Sequence, residues 1–254
     1  MPEGHLIHRY ARAHDHRFAR RTVRVTSPQG KFAAGAAAVD GGDLSCVEAF
    51  GKHILYRWPD AIVRVHLGMQ GRFLDVSPDL EPTKWARLRL QNDAHAVELI
   101  APGACELLSP DRAVDFVAKL GPDPLRADAD VAAVVRAIKS SGKPIGALLI
   151  DQSVVAGLGN VLRAEILSLA RISPLRLGCD LDADELDQLW TLAMRVMERA
   201  RDDGRIITRG DDPTVHEAEG RYVYKRDTCA RCGTPVEQRQ LAARTMYWCP
   251  ACQH

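Results

Sequence analysis

Residues 229–252 read CARCGTPVEQRQLAARTMYWCPAC and decide how the C-terminal end of the chain folds. Their four cysteines follow the spacing C-x2-C-x16-C-x2-C. Two thiolates two residues apart bind one side of a tetrahedral ion, and the second pair completes its coordination. A redox pair is the other use of such cysteines, but four thiolates leave no open position, which is typical of a structural site. The predicted ligands of one zinc ion are Cys229, Cys232, Cys249 and Cys252.

The residues between the two cysteine pairs are polar and alternating, which predicts a β-hairpin. Metal binding would supply the folding free energy that so short a segment lacks by itself.

The remaining cysteines indicate a reducing compartment. The 254-residue chain holds seven cysteines, and Cys46, Cys105 and Cys179 are isolated. An odd count, together with a polar N-terminal stretch that lacks a signal-peptide core, favours reduced thiols and a cytoplasmic location. No stretch approaches the ~18 apolar residues of a membrane span, so we expect no membrane partner.

The charge of the chain is informative through its distribution rather than its sum. With 34 Lys and Arg against 33 Asp and Glu, the formal net charge is +1, which neither requires nor excludes a nucleic-acid partner. Residues 1–31 and 135–176 are basic, whereas residues 178–204 are acidic. This pattern is consistent with one basic face that binds nucleic acid, and also with ordinary solvated helices.

Hydrophobic periodicity divides the chain into a β-rich part and a helical part. Residues 3–18 have helical spacing, with Pro2 at a first-turn position. Short alternating runs separated by turn signals then extend to about residue 100, which predicts a β-sandwich. The Ala-rich residues 32–40 are expected to form a loop or a sheet edge. Prolines and glycines, Pro110 among them, then mark a connecting region. Four helices are predicted after that, over residues 130–140, 144–151, 160–170 and 182–202. The Asp182-x-x-Glu185 pair at the start of the last helix resembles a capping box.

Residues 150–161, IDQSVVAGLGNV, predict a corner between two helices. Gly157 and Gly159 are suited to positive φ and to close approach of a phosphate backbone. Asn160 is placed to cap the next helix, whose free N–H groups and positive dipole end attract an anion. A packing corner without a ligand is the alternative interpretation.

The N-terminal Pro2 becomes chemically interesting if Met1 is removed. It would then be a secondary amine, and an α-amine is partly neutral, and therefore nucleophilic, near neutral pH. Such an amine forms an iminium with an aldehyde-level sugar carbon, and the adjacent Glu3 could supply or accept protons. The plain alternative is that Pro-Glu is simply a good helix start.

Together these motifs resemble one family over the whole chain and in the right order. They are MPEG at the start, the Gly51-Lys52 turn, HLGMQGRF, DQSVVAGLGNVLRAEIL and the terminal CARCG…RTMYWCPACQ. The sequence resembles the formamidopyrimidine-DNA glycosylase/endonuclease VIII family. It is most like a divergent actinobacterial endonuclease VIII-like member, because it begins PEGH rather than PELPE. Its APGACELL loop also lacks the Arg and Phe of the purine-repair branch.

The resemblance implies an α+β fold: an N-terminal helix plus β-sandwich, then a helical helix–two-turn–helix domain with a C-terminal zinc β-hairpin. We expect a catalytic β-sandwich domain over residues 1–115, a hinge over 116–126, a DNA-binding helical domain over 127–221 and the zinc finger over 222–254.

The resemblance also implies roles for individual residues. Pro2 would attack the sugar C1′, and Glu3 would donate the proton that accompanies base loss. Lys52 would bind phosphate and assist β-elimination, and Arg244 would bind phosphates and support δ-elimination. Further expected DNA contacts are Asn160 with phosphate, and Gln70 and Lys119.

Met69 has two interpretations from its place in the LGMQG turn. An exposed apolar side chain can fill the gap left by a flipped base, whereas a buried Met would pack back into the sandwich.

The expected function is that of a bifunctional DNA glycosylase and abasic-site lyase of base excision repair. It would remove oxidised bases, pyrimidines rather than purines, and cleave the strand by β,δ-elimination. The expected partner is damaged double-stranded DNA, with single-stranded or bubble DNA as further possibilities, and the expected state is a monomer near the bacterial nucleoid. One alternative is a catalytically weak damaged-DNA-binding paralogue, and another is a zinc-ribbon protein of transcription or translation. The presence of Pro2, Glu3, Lys52 and Arg244 disfavours both.

Overall fold

The computed structural model describes residues 2–210, 212 and 214–254. Met1, whose removal the chemistry at Pro2 requires, lies outside this part of the chain. The described chain forms two compact units. One contains Pro2 and residues 7–119, and the other contains residues 3–6 and 120–254. The four domain limits expected from the sequence stay predictions.

The first helix, α1, spans Gly4–Phe18. Its apolar residues Ile7, Ala11 and Phe18 follow one another at intervals of one and two helical turns and are buried in the core of the first unit. Pro2 precedes this helix and does not lie in its first turn, which differs from the prediction.

The first unit contains two antiparallel sheets, as the predicted β-sandwich requires. One sheet has the strand order β2-β1-β7-β8-β6 and the other β3-β4-β5-β9. Side chains from both sheets pack in one core, among them Val25 and Leu90 from the first sheet and Tyr56 and Val65 from the second. The strands are β1 Arg21–Thr26, β2 Gly42–Leu44, β3 Cys46–Phe50, β4 His53–Arg57, β5 Ile62–His66, β6 Arg72–Val76, β7 Ala86–Gln91, β8 Ala96–Ile100 and β9 Ala104–Leu108.

Two short helices in this unit were not predicted. The Ala-rich segment expected to be a loop or sheet edge contains α2, Ala33–Ala37, so that prediction is wrong. Alanine has the highest intrinsic helix propensity, and buried Ala36 packs on the core. A second helix, α3, spans Pro110–Val117; the Ser109 side chain caps it, and Pro110 occupies its favoured first position.

The second unit contains the predicted helices. They are α4 Val131–Lys139, α5 Ile145–Leu148, α6 Asn160–Ala170 and α7 Ala183–Asp203, with one 3₁₀ turn at Gly178–Asp180. The capping box predicted for α7 is confirmed: Asp182 accepts from Glu185 N at 2.8 Å, and the Glu185 carboxylate accepts from Asp182 N at 2.9 Å.

The chain ends in the predicted hairpin, with strands β10, Glu237–Leu241, and β11, Arg244–Trp248. Leu241 pairs with Arg244, so Ala242 and Ala243 alone form the turn. Both have positive φ, 53° and 57°, as a two-residue turn with a right-handed twist requires. Across the described residues, we find no helix that combines the length and apolar character needed to cross a bilayer.

Candidate active site and DNA-binding residues

Glu3 is held at the beginning of α6. Its side chain is only 1 % exposed. Its carboxylate accepts from the main-chain N–H of Val161 at 2.9 Å and of Leu162 at 3.1 Å. These N–H groups belong to the first turn of a helix, where they lack helical partners and where the dipole favours negative charge. Glu3 therefore caps a helix that lies far away in the sequence.

This contact corrects the predicted corner. The residue before α6 is Gly159, which offers no side-chain cap, and Asn160 is already the first helical residue. Asn160 is therefore not the cap. Gly157 does have positive φ, +92°, whereas Gly159 has φ −117°. A Cβ atom on Gly159 would lie 2.2 Å from Cδ of Glu3, so this glycine makes room for the Glu3 carboxylate.

Asn160 and Arg163 instead direct their side chains at the hairpin. Asn160 Nδ2 donates to the main-chain oxygen of Thr245 at 2.8 Å. Arg163 donates to the oxygens of Leu241 at 3.3 Å and Gly146 at 2.8 Å, and to the Asn160 Oδ1. The acceptors Leu241 and Thr245 lie on the two strands of the hairpin, close to its turn. The first turn of α6 therefore fixes the tip of the hairpin.

Arg244 is exposed at the start of β11, next to Thr245. Its charge acts on the buried Arg163. Burial lowers the pKa of Arg163 to about 10; the negative charge of Glu3 opposes that shift, and the positive charge of Arg244 adds to it. Three predicted site residues, Glu3, Asn160 and Arg244, are thus brought to one turn of one helix in the second unit.

The four predicted zinc ligands also come together. Their sulfur atoms all lie within 4.8 Å of one another. Sγ of Cys232 is 3.5 Å from that of Cys249 and 3.4 Å from that of Cys252. Zn–S bonds of ~2.3 Å in a tetrahedron place sulfurs roughly 3.8 Å apart, so the donor set fits one tetrahedral ion.

Two side chains attach the cysteine cluster to the helical part of the unit. Gln253 accepts from Cys249 N at 2.9 Å and donates to Ile172 O at 3.0 Å. Arg231 donates to Ser168 O at 3.0 Å. The cysteine cluster is therefore part of the framework that carries Arg244.

Glu165 is a structural residue that sequence reasoning missed. It is fully buried in α6, and its carboxylate accepts from the hydroxyl of Thr208 and from three consecutive main-chain N–H groups, Tyr222, Val223 and Tyr224, at 2.7–2.9 Å. It fixes the segment that leads into the zinc hairpin. The only signal was an acidic residue in a largely apolar helix.

The remaining predicted residues lie in the first unit. Lys52 occupies the tight turn between β3 and β4, beside Gly51 at φ +57°. The next residue, His53, pairs with His66 of β5, and their rings are 4.7 Å apart. His66 leads into the turn of Met69 and Gln70, so the Lys52 turn and the Met69 turn lie at the same end of the four-stranded sheet.

Met69 is 70 % exposed, which excludes the interpretation that it packs into the sandwich. Gln70 is exposed beside it, and Lys119 is exposed just after α3. Pro2 is half-buried and directly precedes Glu3.

Two family models match the chain. The formamidopyrimidine-DNA glycosylase N-terminal domain matches residues 1–102, and the H2TH domain of the same enzymes matches residues 120–211. Endonuclease 8 1 of Mycobacterium tuberculosis is 38 % identical over 267 aligned positions that cover all of both chains. The chain belongs to the formamidopyrimidine-DNA glycosylase/endonuclease VIII family.

Other members of this family agree in sequence and in fold. Formamidopyrimidine-DNA glycosylase of Streptococcus pneumoniae is 32 % identical over 80 % of this chain and 78 % of its own. The structure of Lactococcus lactis Fpg with N7-benzyl-Fapy-dG DNA superimposes with a TM-score of 0.82 at 23 % identity, over all of both chains. That of the same protein with abasic-site DNA gives 0.80 over 99 % of both. The predicted α+β fold is confirmed, and the chain is a DNA glycosylase and abasic-site lyase of this family.

Proposed function

We propose that the protein removes oxidised bases, pyrimidines more readily than purines, through a Schiff base at Pro2 and then cleaves the strand by β,δ-elimination. The observation that carries the proposal is the Glu3 carboxylate, which directly follows Pro2 and is held by two N–H groups of α6. A fixed proton acceptor next to a secondary amine is what amine catalysis at a sugar carbon needs.

In the proposed first step, Pro2 loses its proton to Glu3 and its lone pair attacks C1′ of the damaged nucleotide. The N–C1′ bond forms while the glycosidic bond breaks, and Glu3 passes its proton to the departing base. Glu3 then takes the second proton from the attached nitrogen and gives it to the sugar oxygen as the ring opens, which yields the iminium. The two N–H donors of α6 hold the Glu3 carboxylate in one place, so the group that takes and returns these protons is fixed.

Elimination follows from the iminium, which acidifies the C2′ hydrogens. Loss of a C2′ proton expels the 3′ phosphate, and a second elimination expels the 5′ phosphate. We assign Arg244 and Asn160 to phosphate binding on the α6–hairpin framework, and Lys52 to the phosphate beside its turn. A guanidinium offers paired N–H donors to phosphate oxygens, so its orientation matters as much as its charge.

For damage recognition, we propose that Met69 enters the gap left by the flipped nucleotide, with Gln70 and Lys119 as further contacts to DNA. The exposure of Met69 supports this role, because a wedge must be free to leave solvent for the base stack.

We also propose that the metal is zinc, that it is structural, and that the enzyme acts as a monomer in the cytoplasm at the nucleoid. Four thiolates are the donor set that zinc prefers in closed sites. When bound, zinc would hold the hairpin in shape and take no part in the reaction.

The experiment is borohydride reduction with a duplex that contains an abasic site. We expect a covalent protein–DNA adduct from chains shown by intact mass to lack Met1. We expect none from Pro2→Gly or from chains that retain Met1. An undiminished adduct from the Met1-containing chain would show that Pro2 is not the nucleophile. Binding without any adduct would favour the damaged-DNA-binding alternative.

A further inference from the structure

An exposed tryptophan lies at the same end of the five-stranded sheet as the Met69 turn. Ile100, the last residue of β8, pairs with Arg72 on one side and with Ala86 on the other. The Met69 turn directly precedes Arg72, and Trp85 directly precedes Ala86. Because β6 and β7 flank β8, the two segments leave the sheet two strand spacings, or about 10 Å, apart.

The Trp85 side chain is 61 % exposed. The other three tryptophans, Trp58, Trp190 and Trp248, are at most 8 % exposed and belong to the cores. A tryptophan combines a large apolar ring with one N–H donor, which is why this residue is enriched at binding surfaces.

Trp85 is presented by a loop that is held in place. Arg89 and Glu98 form a buried ion pair at 2.9 Å beneath it. Arg89 also donates to the main-chain oxygens of Pro78 and Leu80, at 3.1 and 3.0 Å, and Glu98 accepts from Thr83 N at 2.9 Å. The exposure of Trp85 is therefore a property of a fixed loop.

The surroundings of Trp85 match a nucleic acid. Lys84 Nζ lies 5.0 Å from the ring centroid, and the side chain of Arg72 is exposed at the same sheet end. Aromatic rings that stack on bases, together with cations that neutralise phosphates, are the usual means of binding unpaired nucleotides. The loop that follows β8 at this end, Ala101-Pro102-Gly103, offers neither an aromatic ring nor a charge.

We propose that Trp85 stacks on a nucleobase unpaired beside the lesion, while Met69 enters the gap. Trp85 would thus supply the aromatic contact at the damaged site and contribute to damage specificity. This inference rests on the proposed binding of damaged DNA and goes beyond it, since it assigns a contact to a loop outside all the family motifs named above.

Tryptophan fluorescence tests the contact directly in the zinc-loaded full chain. Because Trp85 is the exposed tryptophan, iodide should quench mainly its emission, and a duplex with a tetrahydrofuran abasic analogue should both quench that emission and protect it from iodide. Trp85→Phe should remove the DNA-dependent change. If the same quenching persisted in Trp85→Phe while the duplex still bound, the stacking contact would be refuted.

Affinity measurements provide the second test, with Leu80→Ala as the matched control because Leu80 is 60 % exposed on the same loop. Trp85→Ala should weaken binding to the abasic-analogue duplex about tenfold, equivalent to about 1.4 kcal/mol, and leave undamaged duplex nearly unaffected. Lys84→Ala should weaken both duplexes and flatten the salt dependence. Equal affinities of Trp85→Ala and Leu80→Ala for the abasic-analogue duplex would overturn the inference.

The two proposals fail in different ways. If the wild-type chain does not bind the abasic-analogue duplex in preference to undamaged duplex, the proposed function is wrong. If it binds preferentially and Trp85 fluorescence does not respond, only the role of Trp85 is wrong.

Discussion

The side chain of Asn160 donates a hydrogen bond of 2.8 Å to the main-chain oxygen of Thr245, and so joins the first residue of α6 to the residue after Arg244. Arg163, one helical turn later, donates to Leu241 on the opposite strand of the hairpin. The proposed phosphate-binding Arg244 therefore depends on α6 for its position, and the same helix turn holds Glu3.

Arg163 should act as a positioning residue for Arg244. We expect Arg163→Met to weaken binding to abasic-analogue DNA about as much as Arg244→Ala, because the hairpin tip loses one of its two attachments. The double variant should be no weaker than Arg244→Ala alone, since both changes remove the same positioned contact. Equilibrium titrations of the three variants and the wild type give the coupling energy.

Arg163→Lys provides the control, because it keeps a buried charge that reaches fewer carbonyl oxygens. We expect intermediate binding from this variant. If the losses from Arg163→Met and Arg244→Ala were additive, Arg163 would serve stability alone. Unfolding and metal content should be measured in parallel, since unsatisfied buried carbonyls cost about 1–3 kcal/mol each.

Glu3→Gln should impair base excision more than cleavage at a preformed abasic site. A departing base needs a proton that an already empty sugar does not, and a carboxamide can neither accept nor supply it. The amide oxygen still accepts one of the two N–H groups of α6, so stability should fall by only about 1 kcal/mol. Single-turnover rates on a damaged-base duplex and on an abasic duplex measure the difference. Equal losses on both would contradict the proton-transfer role.

Local signals explain which parts of the structure were predictable. The cysteine spacing, the α6 segment and the Asp182–Glu185 capping box each lie within a short stretch of sequence, and each is confirmed. Pro110 was interpreted as loop punctuation, although a serine followed by proline also begins a helix, as Ser109 does here. The contact of Glu3 with Val161 spans 158 residues and has no local signal, so the cap was assigned to Asn160.

The hairpin turn should tolerate a stabilising substitution. Ala242 and Ala243 both have positive φ, a conformation that costs an L-residue roughly 1 kcal/mol. Ala243→Gly removes this cost at one position, and we expect unfolding free energy to rise by a few tenths to about 1 kcal/mol after the entropy cost of glycine. Denaturant unfolding of the metal-loaded chain measures it. The control is Ala132→Gly at an exposed position of α4, which should destabilise by up to about 1 kcal/mol. A change of the same sign in both variants would contradict the explanation.

Acid should destabilise the first unit through His14. The pKa of His14 is lowered to about 3, mainly by burial and also by the Arg17 charge, while the Asp75 charge opposes the shift. Histidine in the unfolded chain has a pKa of about 6.5. The unfolded chain therefore binds the extra proton between pH 6.5 and 3. Above pH 6.5 His14 therefore does not reduce the unfolding free energy. As the pH decreases through this window, the unfolding free energy falls by about 1.4 kcal/mol per pH unit.

His14→Gln should reduce that slope by about one proton, because glutamine can still accept from the Tyr56 hydroxyl, which lies 2.6 Å from His14 Nδ1. His16→Gln, on the exposed side of the same helix, should keep the full acid sensitivity. Urea unfolding at several pH values gives the slopes, and an unchanged slope in His14→Gln would show that another group binds the proton.

Removing the metal should have the same effect on DNA binding as removing Arg244. The cluster attaches to α6 and its neighbours through Arg231 and Gln253, so loss of the metal frees the hairpin and with it the guanidinium. We expect Cys249→Ser and Arg244→Ala each to weaken binding to abasic-analogue DNA. Each should also flatten the salt dependence of binding by a slope of about 0.9, which corresponds to one phosphate contact.

Arg244→Lys should recover the slope but only part of the affinity, because an ammonium is a point charge without paired donors. Metal analysis checks that the metal is lost, and DNA titrations across a salt series measure the affinity and its salt dependence. A Cys249→Ser chain that lacks metal yet binds and cleaves DNA normally would show that the hairpin does not position Arg244 on phosphate.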